Sequence, residues 1–426
     1  MSRRILIVGG GYAGLTAARR LLSKGPRDID VTLVSPHAYM TYQPLLPETA
    51  AGTVQPSHVV VPLRSALPGA RVLTAALSAL DTDRRVATVT AADGTVQELA
   101  YDEVVLAVGS VTRILPVPGL VEHAVGFRTV EEALHLGNRV LHALDRAATT
   151  ADAATRRRAL TFVFAGGGYA GIEALAELED MVRRTHPSLH CETRWVLVEA
   201  ADRILAQMPE RLASYVHRRL AARGVEVVTG ARVESIADGH VRLSDGRVLD
   251  TETVVWTVGG VASPVLRQVG LPVDQQGRVA ADEHLRVCDG VWALGDCASV
   301  PDIHTGGPCA PTAQHAVRQA VRVADNVLAH VRGRRLRPYR HKDAGAVASL
   351  GLRKGVAELY GVPVRGYLAW LVHRLYHGSR LPCRRRRLLV TILWLLGSTS
   401  REPVALHALE SPRAPLQDAH RHQSIA

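Results

Sequence analysis

The hexapeptide GGGYAG occurs twice in this chain, at Gly9 to Gly14 and at Gly166 to Gly171. Each copy follows an apolar run, Ile5 to Val8 or Phe162 to Ala165, and precedes a stretch with helical spacing. A strand, a glycine turn and a helix in that order open a dinucleotide-binding βαβ unit. The first glycine makes the tight turn, the second admits a pyrophosphate to the backbone, and the third lets helix and strand pack closely. Gly9, Gly11 and Gly14 hold these positions in one copy, and Gly166, Gly168 and Gly171 in the other. A single copy is a weak signal; two predict two nucleotide-binding units. The 426 residues leave room for them and for a third domain.

The two units differ where the next strand ends. The second copy feeds a strand at Arg194 to Val198 that is followed by Glu199. A carboxylate there accepts from a ribose 2′-OH and repels a 2′-phosphate, which favours NADH over NADPH. Arg203 is the nearby residue that would argue for the phosphate. The first copy feeds Asp30 to Val34 and ends at Ser35, which can bond a ribose without charge.

Other candidates follow from position. Tyr39 to Gly52 is irregular, and its Pro44 and Leu45 either press on a flat ring such as a flavin or belong to a plain loop. Strands at Tyr101 to Val108 and Thr253 to Val258 end at Gly109 and Gly259, where an open parallel sheet admits ligands. A further strand at Gly290 to Leu294 leads to Asp296, either a turn residue or a partner for a ribityl-like hydroxyl. The helix that opens at Ala313 can aim its N–H groups at a ring carbonyl. Glu173 opens the second helix, either as an acid favoured by the helix dipole or as a polar gate at the nicotinamide.

The formal charge is +11, carried largely by arginine, while aromatics make up only 4%. Few rings to stack on and no recognition motif argue against nucleic acid; phosphates and an anionic membrane suit the charge better. The five cysteines form no C-x-x-C pair, so neither a disulfide framework nor a zinc site is expected, and Cys297 and Cys309 read as packed thiols. A strand within four residues of Met1 leaves no room for a signal peptide. Near the C-terminus, Gly366 to His377 and Leu388 to Leu396 flank Arg380 and Arg384 to Arg387. Apolar runs this short do not span a bilayer, which takes ~20 residues; they read as helices lying on an anionic surface, or as a buried dimer or core helix. The Pro-, His- and Arg-rich tail beyond Arg401 is expected to be disordered.

In this order and spacing the motifs resemble the type II NADH dehydrogenases, or NADH:quinone oxidoreductases, of the two-dinucleotide-binding-domain flavoproteins. The matching stretches include GGGYAGL from Gly9, YQPLLPETAAG from Tyr42, LAVGS from Leu106 and GGGYAGIE from Gly166. They continue with VEAADRIL from Val198, VVWTVGG from Val254, WALGDCA from Trp292 and PTAQHAVRQA from Pro311. The resemblance implies an α/β fold of two Rossmann-like domains, the NADH domain (121–280) inserted in the FAD domain (1–120 and 281–335). A C-terminal region (336–426) with amphipathic helices would meet the membrane surface. It implies FAD beside Gly9, Gly11, Gly14, Gly109 and Asp296, and NADH beside Gly166, Gly168, Gly171 and Glu199. It puts Glu173 near both rings, and Gln314 and Gln319 on the quinone side. There Arg318 replaces the first of the family's paired glutamines. Gln314 and Gln319 lie about 140° apart around a helix, so they need not share a face. The implied activity is hydride transfer from NADH through FAD to a membrane quinone, without proton pumping, on the cytoplasmic face of the membrane or in the cytoplasm. A soluble flavoprotein reductase of a small electron-transfer protein, and a nucleotide-bound redox sensor, remain as alternatives.

Overall fold

The computed structural model describes residues 2–304, 306–341, 344–396 and 405–406. The first apolar run becomes the centre of a parallel sheet. In spatial order its strands are Val291–Ala293, Glu103–Leu106, Arg3–Val8, Ile29–Ser35 and Arg71–Thr74, with Arg286–Cys288 antiparallel on one edge. Ile5 to Val8 and Val104 to Leu106 are buried throughout, as strands covered on both faces must be. The strand from residue 291 pairs directly with Glu103–Leu106, so the chain closes this sheet only after building a second one.

That second sheet is all parallel, in the order Ala124–Gly126, Thr253–Trp256, Thr161–Ala165, Arg194–Glu199 and Val225–Thr229. Phe162 and Phe164 are fully buried within it, and Phe162 stacks on Trp195 with centroids 4.5 Å apart. Each unit also carries a small antiparallel sheet. The first contains a hairpin that turns at Asp93-Gly94, Val86–Thr90 with Val96–Ala100, plus a third strand at Ala76–Asp81.

Two helices fix the first unit. Tyr12–Lys24 packs against Ala313–Val331 through buried alanines, Ala17 and Ala18 on one and Ala320 and Ala324 on the other. Small side chains let the axes approach closely. Arg20 clamps the pair by a two-pronged contact with Asp325, at 2.8 and 3.0 Å.

The C-terminal region is not helical alone. A three-stranded antiparallel meander, Gly345–Ser349, Gly355–Leu359 and Val362–Arg365, precedes the helices Gly366–Arg380 and Arg384–Leu396. Its first strand packs on the second dinucleotide helix, Tyr169–Thr185. Among the described residues no helix is long and apolar enough to cross a membrane. The tail beyond Arg401, expected to be disordered, lies outside the described residues except for 405–406.

Candidate functional site

Three cavities adjoin one another, the first two at the C-terminal ends of the sheet strands. The first, of 410 Å³, has Gly9, Gly11, Ser35, Gly109, Asp296 and Ala313 in its wall. Gly9 has φ +113°, and a Cβ on it would come within 2.2 Å of the Ala107 carbonyl oxygen. A Cβ on Gly14 would lie 1.8 Å from the Gly9 oxygen, which is why helix and strand can touch here. Gly11 instead faces open space, with nothing within 4 Å of where a Cβ would sit. The helix that starts at Tyr12 has no side-chain cap and no acid in its first turn, so its leading N–H groups are free for an anion. This cradle fits a dinucleotide pyrophosphate.

Asp296 accepts from the Ser110 hydroxyl at 2.8 Å, and that hydroxyl accepts from Arg128 Nη2 at 2.8 Å. Leu45, expected against a flat ring, is fully buried in the core instead. The 3₁₀ turn Gln43–Leu45 rotates it inward, and the preceding Met40, Thr41 and Gln43 line the cavity. Pro44 belongs to the third cavity.

The second cavity, of 970 Å³, repeats the arrangement around Gly166, Gly168, Glu199 and Gly259. Gly166 has φ +111°, a Cβ on Gly171 would lie 2.2 Å from the Gly166 oxygen, and Gly168 faces open space. The Glu199 carboxylate is oriented by two backbone donors, Gly167 N–H at 2.6 Å and Ala201 N–H at 2.9 Å. Arg203 is already engaged: its guanidinium donates to the carbonyls of Ala206 at 2.6 Å and Met208 at 2.9 Å. One side chain, Arg128, lines both this cavity and the first. Sequence reasoning missed it. Its signal was its place just before the Thr129–Glu132 capping box, at the C-terminal end of strand Ala124–Gly126.

The third cavity, of 250 Å³, shares Tyr12, Met40 and Ala313 with the first. Gln314 lies in its wall, held by Ala344 N–H at 3.0 Å and by His341 at 2.8 Å from its carbonyl oxygen. Gln319 does not join it. Its side chain is 1% exposed and accepts from Gly295 N–H at 2.7 Å, on the far side of the helix from Gln314. Arg318, the departure from the family pattern, lines the cavity instead. The opposite wall comes from the C-terminal helix through His377, whose carbonyl accepts from the Tyr42 hydroxyl at 3.1 Å. Burial and the charge of His373 hold the His377 pKa well below the usual histidine value, so its ring is neutral.

Glu173 also departs from its expected place, since it is absent from the walls of these three cavities. Its carboxylate turns to the C-terminal meander, accepting from Ser349 N–H at 2.7 Å and lying 3.2 Å from His373 Nε2. One turn on, Glu177 accepts from the Ser349 hydroxyl at 2.6 Å. Burial, then the nearby Glu48, push the Glu177 pKa up to about 7. Further along the same helix, Glu179 and Asp180 pair with Arg223 and Arg183 respectively. Burial pushes the Cys297 thiol up to about 11, and all five cysteines are free.

Comparison with known proteins agrees with this geometry. Residues 3–320 match the family described as pyridine nucleotide-disulphide oxidoreductase. A demethylphylloquinone reductase of Synechocystis is 32% identical over 402 residues, covering 92% of this chain and 95% of that one. A type II NADH:quinone oxidoreductase of Mycobacterium tuberculosis is 28% identical, covering 92% of this chain and 86% of its own length. The fold of NDH2 from Plasmodium falciparum, solved with NADH, superposes with a TM-score of 0.88 over 95% of this chain and 99% of that one, at 17% identity.

Proposed function

The chain belongs to the pyridine nucleotide-disulphide oxidoreductases and, within them, to the type II NADH:quinone oxidoreductases, and on that footing we propose that it oxidises NADH through FAD and reduces a membrane quinone without pumping protons. The observation that carries this reading is the shared walls. Arg128 joins the NADH-sized cleft to the central cavity, and Tyr12, Met40 and Ala313 join the central cavity to the third. A donor and an acceptor can therefore reach one cofactor from separate cavities.

FAD, when bound, takes a hydride from a dihydronicotinamide and hands two electrons to an acceptor. In this reading the chain's own residues bind and orient. The Gly9–Gly11 turn and the uncapped helix start hold the FAD pyrophosphate, Ser35 a ribose, and Asp296 a hydroxyl of the ribityl chain. The Gly166–Gly168 turn and Glu199 hold NADH. Glu199 favours NADH over NADPH because its charge is fixed at the ribose position and Arg203 is occupied elsewhere. Gln314 stands in the wall of the acceptor cavity, its amide held by Ala344, His341 and Gly345. Cys297 and Cys309 are buried thiols outside any disulfide, and this reading gives them no role in the reaction.

An absorbance spectrum tests the reading. The purified protein should be yellow, bleach with NADH, and regain colour when a soluble quinone is added. Bleaching without re-oxidation by quinone would favour a reductase of another electron-transfer protein, and a colourless protein that ignores NADH would leave only a binding role.

The C-terminal helices suggest the place of action. Leu368, Leu375 and Leu388 are 64%, 65% and 63% exposed, beside a basic stretch that includes the exposed Arg385. Apolar side chains beside arginines suit the interface of an anionic membrane, here the cytoplasmic face of the cell membrane. A homodimer covering the same face is the competing occupant. Flotation with anionic liposomes distinguishes the two.

A further inference from the structure

We propose that the acceptor of this protein is a quinone bearing a carboxylate, held by the arginines of the third cavity. The inference rests on the reading of that cavity as the quinone site. Arg19, Arg318, Arg380 and Arg387 all line it, and among the described residues no Asp or Glu does. None of the four pairs with a carboxylate among the described residues. Their partners are neutral. Arg19 donates to the carbonyls of Ala66 at 3.3 Å and Pro382 at 3.1 Å, Arg318 to Gln314 at 3.1 Å, and Arg387 to Leu381 at 2.6 Å. Arg380 lies over the Tyr376 ring, 5.5 Å from its centroid. Carbonyls and a ring hold a guanidinium in place without cancelling its charge.

Four like charges around 250 Å³ repel one another, less so where Arg380 and Arg387 meet solvent. Burial, together with the charge of Arg387, disfavours the charged form of Arg19. An anion relieves this, and a neutral quinone does not. Guanidinium forks match a carboxylate geometrically, since they donate two parallel bonds to it. The pocket also has the right neighbours for a ring, with Tyr12, Met40 and Ala313 shared with the central cavity. The carboxylate is a spectator in the chemistry. The quinone takes two electrons and one proton as the hydride equivalent from NADH and its second proton from water, and both quinone oxygens end as O–H. Partial negative charge that develops on those oxygens meets the same arginines.

The test uses the full-length, FAD-loaded protein in neutral detergent, with a menadione carrying a propanoate side chain and the methyl ester of that compound. Both rings have the same electronic character, so only the charge differs. Equilibrium binding is read by quenching of tryptophan fluorescence, and kcat/KM is measured alongside. The acid should bind about tenfold tighter than the ester at low salt, the size of one charge-assisted hydrogen bond. That preference should shrink as salt rises. Arg318→Gln and Arg380→Gln should each reduce the acid-to-ester ratio, with melting curves to establish that the variants fold. Equal or better binding of the ester at all salt concentrations overturns the proposal and leaves the NADH:quinone reading standing. If neither compound re-oxidises the NADH-bleached protein, that reading falls, and this inference with it. Vesicles of phosphatidylglycerol and of phosphatidylcholine separate the two sources of an oxyanion. If only the anionic vesicles erase the preference for the acid, the arginines serve lipid headgroups and the assignment is wrong.

Discussion

Glu173 Oε1 lies 3.2 Å from His373 Nε2, and this contact ties the second dinucleotide helix to the C-terminal helix that walls the third cavity. His373 is fully buried, facing Glu173 and Glu177 from one helix, Glu48 from another, and Arg374 and His377 on its own. Burial disfavours its charge, but Glu173, with Glu48 and Glu177 behind it, outweighs burial and raises its pKa above the usual value. A raised pKa in the folded state means stability that is complete below the unfolded histidine value of about 6.5 and lost as pH rises through the folded value. Glu173→Gln should therefore lower the melting temperature most near pH 6, by a cost of up to about 3 kcal/mol, with a smaller effect at pH 9. NADH affinity should hold, because Glu173 is outside the cleft wall, while the acceptor KM should rise as the C-terminal helix loosens. A pH series of thermal melts checks the first statement and titration with NADH the second.

Glu177 predicts the opposite sign of substitution. Its folded pKa of about 7 exceeds the unfolded carboxylate value, so the folded state binds an extra proton in that range. Stability falls as pH rises from about 4.3 toward 7, because above it a charge must be held in the interior. Glu177→Gln keeps an acceptor for the Ser349 hydroxyl and removes that charge. It should raise stability at pH 8 by on the order of 2 kcal/mol and change little at pH 4. Chemical denaturation at the two pH values checks it.

The glycines of the first turn separate folding from binding. A Cβ on Gly14 would sit 1.8 Å from a backbone oxygen, whereas one on Gly11 would meet nothing. Gly14→Ala should destabilise the protein even without cofactor, by on the order of 3 kcal/mol for a forced backbone shift. Gly11→Ala should leave the melting temperature of the cofactor-free protein nearly unchanged and lose FAD, since the added methyl stands where a pyrophosphate approaches. Flavin content after purification, read beside melting curves, distinguishes the two.

Glu199 accepts from both Gly167 and Ala201, so its substitution acts on nucleotide choice and on the turn together. Glu199→Gln should weaken NADH by about tenfold while NADPH is affected less, so that the ratio of their kcat/KM values moves toward unity. Steady-state rates with both nucleotides check it.

Local chemistry made most of this legible. Each glycine turn adjoins its apolar strand in the chain, Glu199 ends the next strand of its unit, and their expected roles follow from that local order. What was missed depends on contacts between distant segments. Arg128 is one loop residue until two sheets bring it between two cavities. Glu173 looked like a residue of the glycine turn, but its partners, Ser349 and His373, arrive from about 180 to 200 residues later, as the numbering shows. Gln319 carries a family motif, yet helical rotation turns it to Gly295. The meander at 345–365 was hidden because its strands are short, of four or five residues, and Gly345 to Ser349 is built of small residues with little alternation.

The last helix joins two roles that substitutions can pull apart. On its inner side Trp394 donates to buried Glu48 at 2.8 Å, and Arg374 lies between two indoles, 4.1 Å from the Trp370 centroid and 5.1 Å from that of Trp394. On the outer side of the helix pair, Leu368 and Leu375 touch little, with roughly two thirds of each exposed. Replacing both leucines by glutamate removes little packing and puts negative charge where an anionic surface would lie. The Leu368→Glu, Leu375→Glu protein should melt as before and reduce a soluble quinone at a similar rate, yet stay at the bottom of a liposome flotation gradient. Trp394→Phe should behave in the reverse manner. It leaves a buried carboxylate short of a donor, at a cost of about 1–3 kcal/mol, and frees the helix that carries Arg387 at the acceptor cavity. It should lower the melting temperature and raise the acceptor KM while keeping its affinity for the membrane. If the double glutamate variant floats as the parent does, the leucine face meets another protein surface instead, and a change of the variant's mass in solution from dimer to monomer would identify that surface as a second copy of the chain.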